Sequence, residues 1–266
     1  IDTADVYSAW VPGHQGGESE TVIGNWLARR GRRDDVIIAT KVGWEAVPDR
    51  KGLGRGYILK TVEESLRRLR TDYIDLYYSH KDDLTLGVEE PLRAHEQLLR
   101  EGKVRCIGAS NFSAARLRES LVVDGLPKYG VLQPHYNLLE RAEFENALRP
   151  VCLQAELGVL TYFSLASGYL TGKYRSGADL AGKARMMMAG RYLAAGGPKV
   201  LAALDTVAAE AGASQAQVAL AWLLAQPAVT APIASATSTA QLAELMGSVT
   251  LRLAPEQLSL LSASGA

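Results

Sequence analysis

Residues 57–80 read YILKTVEESLRRLRTDYIDLYYSH, and the two halves of that stretch follow different patterns. In the first half, Ile58, Val62, Leu66 and Leu69 recur at helical spacing with charges between them, which predicts a helix with one buried face. The second half, TDYIDLYYSH (71–80), is a short run rich in aromatic and branched residues that reads as a strand ending at His80. Just upstream, DVIIATKVG (35–43) is another strand, and the unbroken Val36, Ile37 and Ile38 suit burial on both faces. Strand, helix and strand in that order make a βαβ unit, with parallel strands and a right-handed crossover.

The same alternation runs along the chain. The helix VEEPLRAHEQLLREGK (88–103) tolerates Pro91 only in its first turn. There follow strand VRCIGASN (104–111), helix SAARLRESLVV (113–123), strand YGVLQPHYN (129–137), helix AEFENALRPVCLQAELG (142–158) and strand VLTYFSLA (159–166). A Gly-rich, basic stretch (167–191) precedes two helices, the second opening on a Ser214/Gln217 capping box. Strand VTAPIASA (229–236) and helix STAQLAELM (238–246) close the series. Counting the opening IDTADVY, this gives seven strands without a hairpin signature, which suits a doubly wound sheet or a (β/α)8 barrel. Near-regular spacing favours the barrel. So do the polar residues gathered after strand ends, where barrel active sites lie: Asp2 and Tyr7, Lys41, His80, Ser110 and Asn111, Gln133, and Tyr162. The expectation is a single barrel domain over residues 1–266, with one βα unit missing ahead of Ile1.

The composition narrows the function. Lys+Arg and Asp+Glu are equal at 29, so no long-range field points to nucleic acid or an anionic membrane. No apolar run approaches the roughly 18 residues of a membrane span, and no signal peptide is visible. Cys106 and Cys152 sit among apolar neighbours and read as reduced core thiols of a cytoplasmic protein. The sequon at Asn111 is then without consequence. The sequence leaves the oligomeric state open, a homo-oligomer included.

An acid, a phenol, an amine and an imidazole occupy three successive strand ends. A phenol is a weak proton donor near neutral pH, and an adjacent ammonium favours its ionised form. A carboxylate would hold that ammonium in place, and an imidazole could orient a substrate carbonyl. Asp2, Tyr7, Lys41 and His80 can form such a cluster, although tyrosine and lysine are common at loop starts.

In order and spacing, DTADVY, ATKVG, DLYYSH, GASNF, QPHYNLL and LASGYLTGKY resemble the motifs of the aldo-keto reductase superfamily. The resemblance runs from Ile1 to about Met246 and is closest to the bacterial branch similar to potassium-channel β subunits. It implies a (β/α)8 barrel that binds NADP(H) without a Rossmann domain and reduces aldehydes or ketones. It makes Tyr7 the general acid, assisted by Lys41 and His80, with Asp2 orienting Lys41. By the same resemblance Ser110, Asn111 and Gln133 hold the nicotinamide carboxamide, and Tyr162 stacks on the ring. Leu165, Ser167 and Lys173 line the pyrophosphate, and Ser235, Thr237, Gln241 and Glu244 cradle the adenosine phosphate. His14, His95 and His135 match no catalytic position and read as structural or surface residues, with no metal-ligand spacing among them.

Two departures from the family stand out. Residues 229–242 carry no basic side chain for a 2′-phosphate, so Lys173, Lys183 or Arg185 would have to supply the charge. The expected cofactor is therefore NADP(H), with NAD(H) accepted as well. The second departure is the missing unit ahead of Ile1. A short-chain dehydrogenase reading of Tyr169-x-x-x-Lys173 fails for want of a fitting Gly-rich turn, since GLGRG (52–56) lacks the third glycine. A regulatory, redox-sensing subunit that binds the cofactor with little turnover is the other rival. Channel β subunits typically lack histidine at the position of His80, so its presence favours turnover. Trp10, Trp44 and Tyr136 are the aromatic candidates for a substrate wall, which would suit a small-molecule carbonyl compound.

Overall fold

The computed structural model describes residues 1–45, 52–180 and 186–265, and helices and strands alternate through its first half. The chain divides into two compact units, Ile1–Gln133 with Ala155–Leu157, and Pro134–Gln154 with Gly158–Ala266.

The first unit contains α1 (Glu18–Arg30), β1 (Ala39–Val42), α2 (Arg55–Leu69), β2 (Ile74–Ser79), α3 (Glu89–Arg100), β3 (Val104–Ser110), α4 (Ala114–Leu121) and β4 (Val131–Gln133). Each strand pairs in parallel with the next, β1 with β2, β2 with β3 and β3 with β4. The register sets Lys41 opposite Tyr78, Tyr78 opposite Gly108, and Gly108 opposite Val131, so these four share one level of the sheet. Gly108 is required there: a Cβ would meet the Tyr78 ring at 2.5 Å. The opening residues extend the ladder, because Ala39 N donates to Ile1 O, Thr3 N to Ala39 O and Asp5 N to Lys41 O.

The helical periodicity of residues 57–70 is borne out, with Ile58, Val62, Leu66 and Leu69 all buried in α2. Pro91 falls in the first turn of α3, where its missing N–H costs nothing. The cap of α4 is Ser113, whose hydroxyl accepts from Arg116 N. The strand expected over 35–43 starts only at Ala39, and Ile37 is 70% exposed. Arg33 is the reason: its guanidinium donates to Val36 O, Tyr73 O and the Asp75 carboxylate, and Asp75 also takes the Ile38 N–H. Side chains thus satisfy this segment before the sheet can.

The second unit begins with a π-helix, Phe144–Leu148, that runs into α5 (Arg149–Gln154), where one long helix was expected. Pro150 lacks the N–H that an α-helical bond to residue 146 needs, and a wider turn accommodates it. β5 (Gly158–Thr161) leads to a 3₁₀ segment, Ala166–Thr171, then α6 (Gly177–Leu180) and α7 (Met186–Ala194), so part of the Gly-rich stretch is helical. Next come α8 (Gly197–Ala211), α9 (Gln215–Leu224), β6 (Val229–Pro232), α10 (Thr239–Met246), a 3₁₀ turn (Gly247–Val249) and α11 (Pro255–Ser264), the last unforeseen from sequence. β5 pairs in parallel with β6. The Ser214/Gln217 capping box forms as expected. No helix among the described residues is long and apolar enough to cross a membrane.

Candidate active site

Lys41 lies within β1 and is fully buried. A buried ammonium must place its three hydrogens on acceptors and its charge beside an anion. Lys41 Nζ meets both demands, donating to Asp2 Oδ1 at 2.5 Å, Thr3 O at 2.8 Å and Tyr7 Oη at 3.2 Å. The ladder between residues 1–5 and β1 carries Asp2 and Thr3 to it. A turn closed by Tyr7 N donating to Ala4 O then swings the phenol back.

His80 follows β2 directly and its N–H continues the ladder onto Val42 O. Its ring stands edge-on to Tyr7, centroids 6.0 Å apart, and packs against Trp44 at 4.9 Å. Burial, reinforced by the nearby Lys41 charge, lowers the His80 pKa to about 3, so the imidazole is neutral at physiological pH. Its Nδ1 is buried without a hydrogen-bond partner among the described residues, leaving Nε2 as the nitrogen with a use.

The other strand ends close a ring around these four. Gln133, at the end of β4 and 2% exposed, donates from Nε2 to Asp2 Oδ2 at 2.9 Å. Ser110 Oγ donates to Gln133 O, and Asn111 Nδ2 donates to Ser110 Oγ and to His80 O. Asn111 turns the chain with a left-handed φ of 56°. In the first unit the structure therefore joins Asp2, Tyr7, Lys41, His80, Ser110, Asn111 and Gln133. Of the aromatic candidates, Trp10 stands edge-on to Tyr7 at 5.9 Å and is 70% exposed, while Trp44 flanks His80.

In the second unit Tyr162 stacks on His135, centroids 5.2 Å apart and planes within 17°. Nothing in the sequence around His135 marks this contact with the candidate nicotinamide-stacking ring. Beyond Tyr162 the backbone turns left-handed at Phe163, Ala166, Ser167 and Gly168. Gly168 lies against Lys173, whose Nζ would sit 3.3 Å from a Cβ there, so the lysine and a bare stretch of backbone approach each other closely. Leu165, Ser167 and Lys173 belong to this loop. Ser235, Thr237, Gln241 and Glu244 are all exposed around the start of α10. Gln241 Oε1 accepts from both Thr237 N and Thr237 Oγ1, Ser238 Oγ caps the helix, and Glu244 O accepts from Gln217 Nε2. Lys183 and Arg185 lie outside the described residues.

One expectation about the site needs correction, and the rejection of the dehydrogenase reading stands. Tyr136 is no substrate wall: it is fully buried against Phe144 and Trp222, and its hydroxyl donates to Glu145. Tyr169 of the dehydrogenase-like Tyr-x-x-x-Lys is likewise fully buried, packed on Tyr192, and cannot meet a substrate. His95 is a core residue bonded to Ser79 Oγ, and His14 is exposed, both as expected.

The model of the aldo/keto reductase family matches residues 1–265. A rice protein named "Probable voltage-gated potassium channel subunit beta" is 35% identical over 257 residues, 92% of this chain and 76% of its own length. "Protein tas" of Escherichia coli is 34% identical over 288 residues, 97% of this chain and 83% of its own. "Uncharacterized oxidoreductase YrpG" of Bacillus subtilis is 35% identical over 276 residues, 98% and 81% respectively.

Proposed function

The chain belongs to the aldo/keto reductase family, whose fold is the (β/α)8 barrel, and on that premise we propose that it reduces aldehydes or ketones to alcohols with NADPH. The observation that carries this reading is Lys41 Nζ, shared between the Asp2 carboxylate and the Tyr7 hydroxyl. Tyr7 Oη gives its proton to the carbonyl oxygen as negative charge grows there, and the ammonium 3.2 Å away stabilises the phenolate left behind. Asp2 keeps Lys41 in place and balances its charge. The neutral His80 can donate from Nε2 to the same carbonyl oxygen, fixing the direction of the substrate without adding a second charge. Trp10 and Trp44 bound the approach to Tyr7 with apolar surface.

The residues suit a nicotinamide dinucleotide. When bound, the reduced nicotinamide supplies the hydride. Ser110, Asn111 and Gln133 present amide and hydroxyl groups fit for a carboxamide, and Tyr162, backed by His135, offers an aromatic face for the ring. The approach of Lys173 to the Gly168 backbone makes a cradle for the pyrophosphate, with Leu165 and Ser167 in the same loop. Ser235, Thr237, Gln241 and Glu244 would receive the adenosine end, and the lack of a basic residue there implies weak discrimination against NADH.

The similarity to a protein named as a channel subunit supports a second reading, a cofactor-binding regulatory subunit with little turnover. One experiment separates the two: titrate the purified protein with NADPH and with NADH by fluorescence, then follow NADPH oxidation with a panel of aryl aldehydes. Binding of both cofactors within about tenfold, with turnover, is the expected result. Tight binding without turnover on the whole panel would favour the regulatory reading, and a preference for NADPH above about a thousandfold would overturn the weak discrimination against NADH.

A further inference from the structure

From the hydrogen bonds around Asp2 we infer that Gln133 is a positioning residue for the proton donor, coupling the nicotinamide carboxamide to the Asp2–Lys41 pair. The inference rests on the carbonyl-reductase reading and goes beyond it.

Asp2 has two carboxylate oxygens and shares them between two strands. Oδ1 takes the Lys41 ammonium at 2.5 Å, and Oδ2 takes Gln133 Nε2 at 2.9 Å. A carboxylate only accepts, so the side of the Gln133 amide facing Asp2 must be its NH2 group. The other end, Oε1, is an acceptor, and an acceptor is what the NH2 of a primary carboxamide requires. One side chain can thus meet the cofactor with its oxygen while holding Asp2 with its nitrogen.

The surroundings keep that amide in place. Gln133 is 2% exposed, and its main-chain carbonyl receives the Ser110 hydroxyl. The Tyr78 phenol is raised by burial and lies beside both Gln133 and Asp2, so it stays protonated and adds no competing charge. Its ring fills the space left by Gly108, on the same level as Lys41. Without the Gln133 donor, Asp2 Oδ2 loses a half-buried hydrogen bond and the carboxylate is free to turn. Lys41 follows because Asp2 is its anionic partner, and Tyr7 follows because its hydroxyl is held by Lys41. Gln133 and Asp2 stand 131 residues apart in the chain, and no motif spans them.

The decisive readout needs neither cofactor nor substrate. In protein labelled with ¹⁵Nζ-lysine, the buried Lys41 ammonium gives a resonance identified by its loss in Lys41→Met. Gln133→Met removes the amide at nearly constant length, and Gln133→Asn keeps an amide but shortens its reach. Both are expected to move the Lys41 resonance or speed its exchange with solvent in the free protein, to lower kcat by about tenfold, and to displace the pH profile of kcat. A Lys41 resonance and a pH profile like those of the wild type, with only NADPH affinity weakened, would overturn the inference and leave Gln133 as a cofactor contact alone. If Gln133→Met does not fold, Gln133→Asn carries the same test. Absence of turnover in the wild type would count against the reductase reading, whereas the Lys41 resonance still decides the role of Gln133.

Discussion

Around Lys41 the ammonium hydrogens go to Asp2, Thr3 and Tyr7, and the second Asp2 oxygen goes to Gln133, all at buried or half-buried positions. At the start of α10, by contrast, Ser235, Thr237, Gln241 and Glu244 are exposed, and the bonds found there, such as Gln241 to Thr237, shape the loop itself. In the first region charge is enclosed and fixed before any substrate arrives. In the second, polar groups stand in water with no fixed cation near them in sequence. Preorganised, desolvated charge is what stabilises a transition state, while exposed groups add modest affinity that water and salt reduce. The two regions therefore suit different tasks, proton transfer in one and tolerant anchoring in the other, and changes to each should differ in size.

The largest effect on stability belongs to the enclosed region. Lys41→Met leaves the Asp2 carboxylate without its cation and should cost about 3–5 kcal/mol, read as a lowered midpoint in urea unfolding. A change below about 1 kcal/mol would mean that the pair behaves like a surface ion pair, and the contrast between the regions would collapse.

Acid should act on the buried histidines, His80 beside that region and His95 in the core. Burial lowers the His80 pKa to about 3, with Lys41 contributing, and burial lowers His95 to about 4, whereas an unfolded histidine titrates near 6.5. Both folded values are depressed, so below about pH 6.5 the unfolded chain takes up protons that the folded chain refuses. Their stabilisation is complete above that pH and is lost as pH falls toward 4 and then 3. By pH 4.5 the loss should be about 2–3 kcal/mol per histidine, and His95→Gln should make the decline shallower. Equal unfolding free energies at pH 7 and 4.5 would contradict the burial of these rings.

The exposed region should respond least, and in affinity more than stability. Ala240→Arg puts a guanidinium into the first turn of α10, and NADPH should bind roughly tenfold more tightly with NADH unchanged. Equal gains for both cofactors would mean that the added charge does not meet the 2′-phosphate.

The sequence exposed one side of this contrast better than the other. Strand-end polarity announced His80 and Gln133, because a parallel strand buried on both faces has few places for a polar side chain except its ends, whereas Lys41 lies inside β1 and not after its end as expected. Apolar period gave α2 and α3, and the Ser214/Gln217 pair gave the cap of α9. Partnership beyond the Asp2–Lys41–Tyr7 cluster was not legible. Asp2 and Gln133 are joined only by the register of the intervening strands, and the stacking of His135 on Tyr162 depends on a bridge between two strand ends. Tyr136 shows the same limit: an aromatic residue at a strand end looks alike in sequence whether it lines a cleft or packs on Phe144. The π-helix before α5 was written in Pro150, but a pattern of apolar residues does not register a missing N–H.

The most direct measurement compares kcat/KM of Tyr7→Phe with that of the wild type on an aryl aldehyde, with NADPH affinity determined for both. Loss of the hydroxyl held by Lys41 should lower kcat/KM by about 10²–10⁴-fold and leave cofactor binding nearly unchanged. Activity within threefold of the wild type would contradict the assignment of Tyr7 as the proton donor.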